Sequence, residues 1–189
     1  MTDAQSLALS DRFLAWLARA GWAASRWNDD GSFDEQGDCS IWEEDQGGRV
    51  LTAYLLHRRE SDGWVEVAKG SAERLVFAAS GLAAVERYFW GLLADAVRER
   101  LGLRELQART DIASGYRIED GLRDAAGRLV AKGEQQSLVA LSRSLAPTLD
   151  QLETSLLDPE GKPLFAVRDA TARAETAAIL PAPGQPRGA

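Results

Sequence analysis

The first segment of the chain has the pattern of an amphipathic helix. Apolar side chains recur at helical spacing at Phe13, Leu14, Trp16, Leu17 and Ala20. Ser10 comes before them and is suited to cap the helix N-terminus, whereas Gly21 comes after them and is suited to end the helix. The pattern predicts a helix whose apolar face packs into a core.

The pattern then changes to one that is typical of strands. Three segments are rich in β-branched and aromatic residues: 49–57 (RVLTAYLLH), 64–68 (WVEVA) and 74–78 (RLVFA). Turn-forming residues separate them at 61–63 (SDG) and 69–71 (KGS). A shorter strand is expected around Ile41 and Trp42. Together these segments predict a meandering antiparallel sheet.

The longest regular pattern follows Ser80, which is suited to be an N-cap. One stripe of apolar residues contains Leu82, Val85, Phe89, Leu92, Leu93, Ala96 and Val97. Charged residues occupy the opposite face, and Gly102 closes the segment. The pattern predicts a single long helix over about 81–101 that covers the sheet.

The second half of the chain repeats these signals at shorter length. Strands are expected at 115–119 (GYRIE), 128–132 (RLVAK) and 136–142 (QSLVALS). Thr148 and Gln151 have the spacing of a capping box, which predicts a short helix through Leu157. The sequence of 158–161 (DPEG) predicts a tight turn, and 163–167 (PLFAV) a final short strand or docking segment.

The arrangement favours an α+β fold, because turns separate the strands more often than helices do. We expect a single domain over residues 1–169, with Trp16, Trp22 and Trp90 in or beside its core. Residues 170–189 are rich in Ala and then in Pro and Gly, so they are expected to form a disordered tail.

Residues 28–48 have the least ordinary composition in the chain. They carry eight acidic residues and no Lys or Arg, with Trp27 just before them and Trp42 among them. A tryptophan among carboxylates suits a surface that binds a basic protein partner, because the indole is desolvated on binding and the carboxylates attract the partner. A solvated charged loop with its tryptophans tucked beneath is an equally weighted interpretation. The candidate partner-binding residues are Trp27, Asp38, Trp42, Glu43, Glu44 and Asp45.

Charge and hydrophobicity mainly exclude classes of partner and location. The 189 residues include 22 Lys and Arg against 29 Asp and Glu, a formal net charge of −7. This balance argues against nucleic acid or an anionic membrane as a partner, since both bind clustered cations. No apolar run is long enough to span a membrane, and the N-terminus lacks a secretory pattern. We therefore expect a cytoplasmic protein.

Patterns that carry catalytic or metal chemistry do not occur. The acidic segment fails as an EF-hand, because Arg26 and Gly37 would take the first and twelfth ligand positions. The chain has one cysteine, Cys39, and one histidine, His57. These two could face each other on neighbouring strands, but nothing in their spacing requires it. No phosphate-binding glycine motif is present. We expect no enzyme activity, no metal and no cofactor.

Several motifs nevertheless resemble those of one family. They are 74–80 (RLVFAAS) running into 82–89 (LAAVERYF), then 95–98 (DAVR), 101–103 (LGL), 113–118 (ASGYRI), the expected strand end at 141–142 (LS) and 155–165 (SLLDPEGKPLF). The set resembles the Imm61 family of immunity proteins over about residues 11–166.

The resemblance implies a non-catalytic immunity protein. Such a protein would bind a cognate secreted toxin domain, one that hydrolyses NAD in the manner of a necrotizing toxin. It would block the toxin active site inside the producing cell. A monomer that forms a 1:1 complex is implied. A second hypothesis is an acidic secretion chaperone that binds an export client, and a third is an enzyme or metal-dependent protein that uses the acidic segment.

Overall fold

A computed structural model describes residues 7–26, 38–45, 47–70 and 74–168. In these ranges the chain forms one eight-stranded antiparallel sheet and five helices. In chain order the elements are α1 (Asp11–Ala20), β1 (Trp22–Arg26), β2 (Cys39–Glu44), β3 (Val50–Arg58), β4 (Val65–Lys69), β5 (Arg74–Ala79), α2 (Leu82–Leu92), α3 (Ala94–Arg100), β6 (Tyr116–Ile118), β7 (Leu122–Asp124), β8 (Leu129–Gly133), α4 (Gln135–Leu145) and α5 (Leu149–Leu157).

The N-terminal helix is confirmed with both of its caps. The Ser10 hydroxyl accepts a hydrogen bond from the backbone N–H of Phe13 at 3.3 Å. Gly21 ends α1 in the left-handed conformation with φ at 76°. Phe13, Trp16 and Leu17 on the apolar face are buried, so this element forms as the sequence pattern predicts.

The antiparallel meander is also confirmed, and it has one more strand than expected. Strands β2 to β5 lie side by side in chain order, and β1 pairs with β2 at the edge of the sheet. The sequence of β1 is WAASR, in which only the tryptophan belongs to the residue types enriched in strands. Pairing with β2 therefore imposes the extended conformation of β1. The hairpin β7–β8 then returns to pair with β5, and β6 forms the far edge.

The single long helix predicted over 81–101 is wrong, because the chain forms two helices there. Leu93 separates α2 from α3 with φ −91° and ψ 0°. The apolar stripe continues across the break, but α2 packs mainly on α4 and less on α1, whereas α3 packs on α1 and α5. The break at Leu93 coincides with this change of neighbours. The N-cap is Gly81 rather than Ser80, and no side chain caps α2.

The strand predicted over 136–142 is also wrong, since these residues lie within α4. Leu138 and Leu141 are buried with a spacing of three residues, as on a helix face. A short apolar run does not distinguish a buried strand from a buried helix. Close packing of this segment against α2 favours the helix. Gly91 of α2 lies so near Ser144 of α4 that a Cβ atom on Gly91 would be 2.6 Å from Ser144 Oγ.

The C-terminal part of the described chain follows the prediction. Thr148 and Gln151 form a reciprocal capping box at the start of α5. The turn over 158–161 is closed by the Gly161 N–H, which donates to the Asp158 carbonyl at 2.9 Å. The segment over 163–167 contributes one isolated bridge, between Val167 and Leu106. The predicted tail, 170–189, lies outside the described residues.

The described helices that contact the sheet, α1, α2 and α4, lie on the same side of it. The side chains of Ile41, Tyr54, Leu56, Val67 and Phe77 point to that side and belong to one core cluster with α1, α2, α4 and α5. We call this side the inner face of the sheet. Tryptophans 16 and 90 stack within the core, and Trp22 packs beside Tyr54, as predicted.

Candidate functional site

The opposite side of strands β1 to β5 lacks such a cover among the described residues. Strand alternation and register place Ser25, Ser40, Leu55, Ala68 and Leu75 in one row across these five strands. None of them belongs to the core cluster or packs against it. Together with Trp42, Ala53, His57 and Glu66 they define what we call the outer face.

Trp42 is the largest side chain of the outer face. It lies between Ala23 on β1 and Ala53 on β3, so small neighbours leave its ring partly exposed. The indole Nε1–H donates to the Glu44 carboxylate at 2.5 Å. This bond fixes the ring, satisfies its polar atom and shows that Trp42 and Glu44 share one face.

Asp38 lies at the other end of β2 and is held by a histidine. Its Oδ1 atom is 2.7 Å from Nδ1 of His57, whose ring is half-exposed. Glu66 on β4 is directly opposite His57 in the ladder. Acidic groups therefore lie at both ends of the outer face, with Asp38 and Glu66 at one end and Glu44 at the other.

The remaining candidate residues have other surroundings. Glu43 lies in register with Trp22 and Thr52 on the inner-face side of the ladder. The Asp45 carboxylate accepts the backbone N–H groups of Gly47 and Arg49, both at 2.9 Å, and so closes the β2–β3 turn. Trp27 lies outside the described residues. The structure thus brings Asp38, Trp42 and Glu44 to one face and separates Glu43 and Asp45 from them.

Cys39 and His57 do not form a nucleophile–base pair. Cys39 is 1% exposed and points into the core, because it shares the inner face with Ile41. His57 pairs across the ladder with Glu66 and points to the outer face. Within the described ranges no three His, Cys, Asp or Glu side chains are placed to hold a metal ion, and no helix there is long and apolar enough to cross a membrane.

A groove of about 770 Å³ lies on the helical side of the molecule, between α2, α4 and the segment 106–110. Leu92, Val139 and Phe165 are among its apolar lining residues. The segment that borders it is fixed by its backbone: the Leu106 N–H donates to Asp95 Oδ1 at 3.0 Å, and the Gln107 N–H donates to the Ala166 carbonyl at 2.8 Å.

Arg98 supports this side of the molecule from within the core. Its side chain is fully buried, and its guanidinium donates to four backbone carbonyls, at 2.6–3.1 Å: those of Arg104, Leu156, Asp158 and Pro159. Burial lowers the pKa of the Arg98 guanidinium, and the charges of Asp95 and Asp158 act in the opposite direction. The sequence pattern places Arg98 on the charged face of the predicted long helix. Its position four residues before Gly102, where that helix is expected to end, is the sequence feature that points to a bond with the returning chain.

These features define an α+β protein with a partly apolar, open sheet face and no assembled catalytic group among the described residues. The family model for immunity protein 61 matches residues 16–164. The chain belongs to this family of immunity proteins, as its motifs suggested.

Two curated relatives are similar over most of their length. The immunity factor for TNT of Mycobacterium tuberculosis (strain ATCC 25618 / H37Rv) is 30% identical over 150 residues, which cover 71% of this chain and 82% of the relative. The homologue of this factor in Mycobacterium bovis (strain BCG / Pasteur 1173P2) matches equally well. Among solved structures, Rv3902c from M. tuberculosis has a TM-score of 0.71 at 25% identity, covering 86% of this chain and 97% of that one.

Proposed function

We propose that this chain is a non-catalytic immunity protein that binds a cognate toxin domain one to one and blocks its active site in the cytoplasm of the producing cell. The observation that carries this proposal is the match to the immunity protein 61 family over residues 16–164. The relatives named as immunity factors for TNT, the tuberculosis necrotizing toxin, point to a toxin of that kind, which we take to hydrolyse NAD.

Inhibition of this kind needs a complementary surface rather than a reactive group. A specific interface buries about 800 Å² on each partner and depends on a few well-packed anchors. The described part of the chain offers such a surface without an assembled nucleophile–base pair or metal cluster. The secretion-chaperone alternative gains nothing from the family or from the relatives.

We assign the partner contact to the acidic strip at β2, made up of Asp38, Trp42, Glu43, Glu44 and Asp45, in which Glu43 adds negative charge without touching the partner. Trp27, which lies outside the described residues, is the sixth residue of this assignment. The indole of Trp42 is fixed by Glu44, so it can enter a pocket of the partner with little loss of freedom. The carboxylates attract a basic toxin surface over about 8–10 Å in physiological salt.

Neutralising the strip should slow association with the toxin. In a variant that carries Asp38→Asn, Glu43→Gln, Glu44→Gln and Asp45→Asn, we expect the association rate to fall about tenfold at low salt, because electrostatic steering acts mainly on this rate. The difference from the unmodified chain should shrink as salt rises. Binding kinetics measured at several salt concentrations check this.

The matched control is Glu99→Gln, which removes one exposed carboxylate from α3 on the helical side. Its association rate should equal that of the unmodified chain. If the four-residue variant also associates at the unmodified rate at low salt, the strip is not part of the encounter surface.

The function itself is tested by co-expression with the necrotizing-toxin-type domain from the same organism. Cells that produce the toxin domain alone should lose NAD and stop growing, whereas cells that also produce this chain should keep both NAD and growth. Loss of NAD at the same rate with both proteins present and soluble would refute the immunity function.

A further inference from the structure

We infer that the outer face of β1 to β5 is the surface on which the toxin domain docks, with Trp42, Leu55 and Leu75 as apolar anchors. The inference rests on the proposed immunity function and extends the contact well beyond the acidic strip. It also predicts that Glu43, on the inner-face side, contributes to the field of the strip but makes no contact.

The first support is the exposure of apolar groups on one continuous surface. Leu75 is 51% exposed, and it lies opposite Ala68, which in turn lies opposite Leu55. The next row along the strands contains Trp42 and Ala53. Apolar side chains that stay outside the core across four neighbouring strands are typical of an interaction site.

The second support is shape. Ser25, Ser40, Ala53 and Ala68 are small, so the larger Trp42, Leu55 and Leu75 project between shallow positions of the outer face. Hydrogen bonds to both neighbouring strands hold β2, β3 and β4 in place. A rigid surface of this kind loses little freedom on binding, which favours a folded partner over an extended client.

Charge identifies the occupant as a folded domain with a basic rim. Strand β2 brings Asp38 to one end of the face and Glu44 to the other. A second copy of this chain, with a formal net charge of −7, would bring like charges together. A toxin domain that presents Lys or Arg around an apolar patch fits this surface instead.

Bulk placed at the centre of the face tests the inference directly. The test uses the full chain, the NAD-hydrolysing toxin domain from the same organism, and equilibrium and kinetic binding. Ser40→Arg should weaken binding at least tenfold through steric exclusion and added positive charge. Trp42→Ala should weaken it at least about 30-fold, mostly through faster dissociation, as expected for an interface hot spot.

Matched variants away from strands β1 to β5 keep the comparison specific. Ser114→Arg adds the same group at an exposed position before β6, and Leu101→Ser removes a leucine that is 57% exposed at the end of α3. Both should bind as the unmodified chain does. Thermal unfolding identifies variants that fail to fold. If Ser40→Arg is one of them, Leu75→Ser takes its place, because Leu75 is exposed. Leu75→Ser should weaken binding several-fold.

The outcomes separate the two proposals. If the unmodified chain inhibits the toxin and Ser40→Arg, Trp42→Ala and Leu75→Ser all bind normally, the outer face is not the interface while the immunity function stands. If the unmodified chain neither binds nor inhibits, the immunity function fails and the inference fails with it. A dimer of the free chain that Ser40→Arg dissociates would make a second copy the occupant and overturn the inference.

Discussion

Replacing Arg98 with alanine should destabilise the protein more than any other single change at a charged residue described here. Removal of the side chain takes away its hydrogen bonds to the carbonyls of Arg104, Leu156, Asp158 and Pro159, of which Asp158 keeps the Gly161 N–H as a donor. It also leaves a cavity in the core. We expect a loss of about 3–5 kcal/mol in the free energy of unfolding, measured by urea denaturation, since buried polar groups then lack partners.

Two further variants define the cause of that loss. Arg98→Lys keeps the charge, but a single ammonium group cannot reach acceptors spread around a planar guanidinium, so it should recover only part of the stability. Arg100→Ala removes an exposed arginine two residues further along α3 and should cost less than about 1 kcal/mol. Equal losses for Arg98→Ala and Arg100→Ala would show that the buried hydrogen bonds do not stabilise the fold.

Trp16→Ala should have the second large effect on stability. Trp16 and Trp90 are each 1% exposed, and their rings stack with centroids 4.2 Å apart and an interplanar angle of 20°. Truncation removes most of this contact between α1 and α2 and leaves a void. We expect a loss of about 3–5 kcal/mol in thermal or chemical unfolding.

A phenylalanine at the same position separates ring packing from polarity. The Trp16 Nε1 atom is buried without a hydrogen-bond partner, so Trp16→Phe loses contact area but removes an unsatisfied donor and should cost clearly less than alanine. Leu14→Ala, at an exposed position on the same helix, should stay within about 0.5 kcal/mol. A similar loss for Leu14→Ala and Trp16→Ala would rule out the stack as the source of the stability.

The elements that could be predicted from the sequence are those whose local signals agree with their packing. The α1 helix has caps and an apolar stripe that require nothing from the rest of the chain, and the same is true of α5 with its capping box. Strands β3 to β5 combine β-branched residues with turn residues between them. In each case, local propensity and tertiary burial favour the same structure.

The wrong predictions arise where tertiary contacts decide between local alternatives. Residues 136–142 read equally well as a buried strand or a buried helix, and close packing of α4 against α2 at Gly91 selects the helix. The stripe over 81–101 does not reveal that α2 and α3 have different neighbours, so the break at Leu93 has no sequence signal. Strand β1 has few strand-forming residues, and it adopts the extended conformation because it pairs with β2.

The candidate site shows the same division. Sequence alone could mark Asp38, Trp42 and Glu44 by their unusual composition, but only strand alternation with a known register shows that they share a face with Leu55 and Leu75. Glu43 and Asp45 have the same composition signal and lie elsewhere, on the inner-face side and in a turn. Composition therefore indicates the region of the partner contact, and the strand register shows which of its residues lie on the outer face.

The central claim, that this chain neutralises a toxin by binding it, is tested most directly by titration. A fixed amount of the NAD-hydrolysing toxin domain from the same organism is mixed with increasing amounts of the full chain, and NAD hydrolysis is followed. We predict that activity falls linearly and reaches near zero at one equivalent, as for a tight 1:1 inhibitor. Undiminished hydrolysis at several equivalents of folded chain would contradict the account.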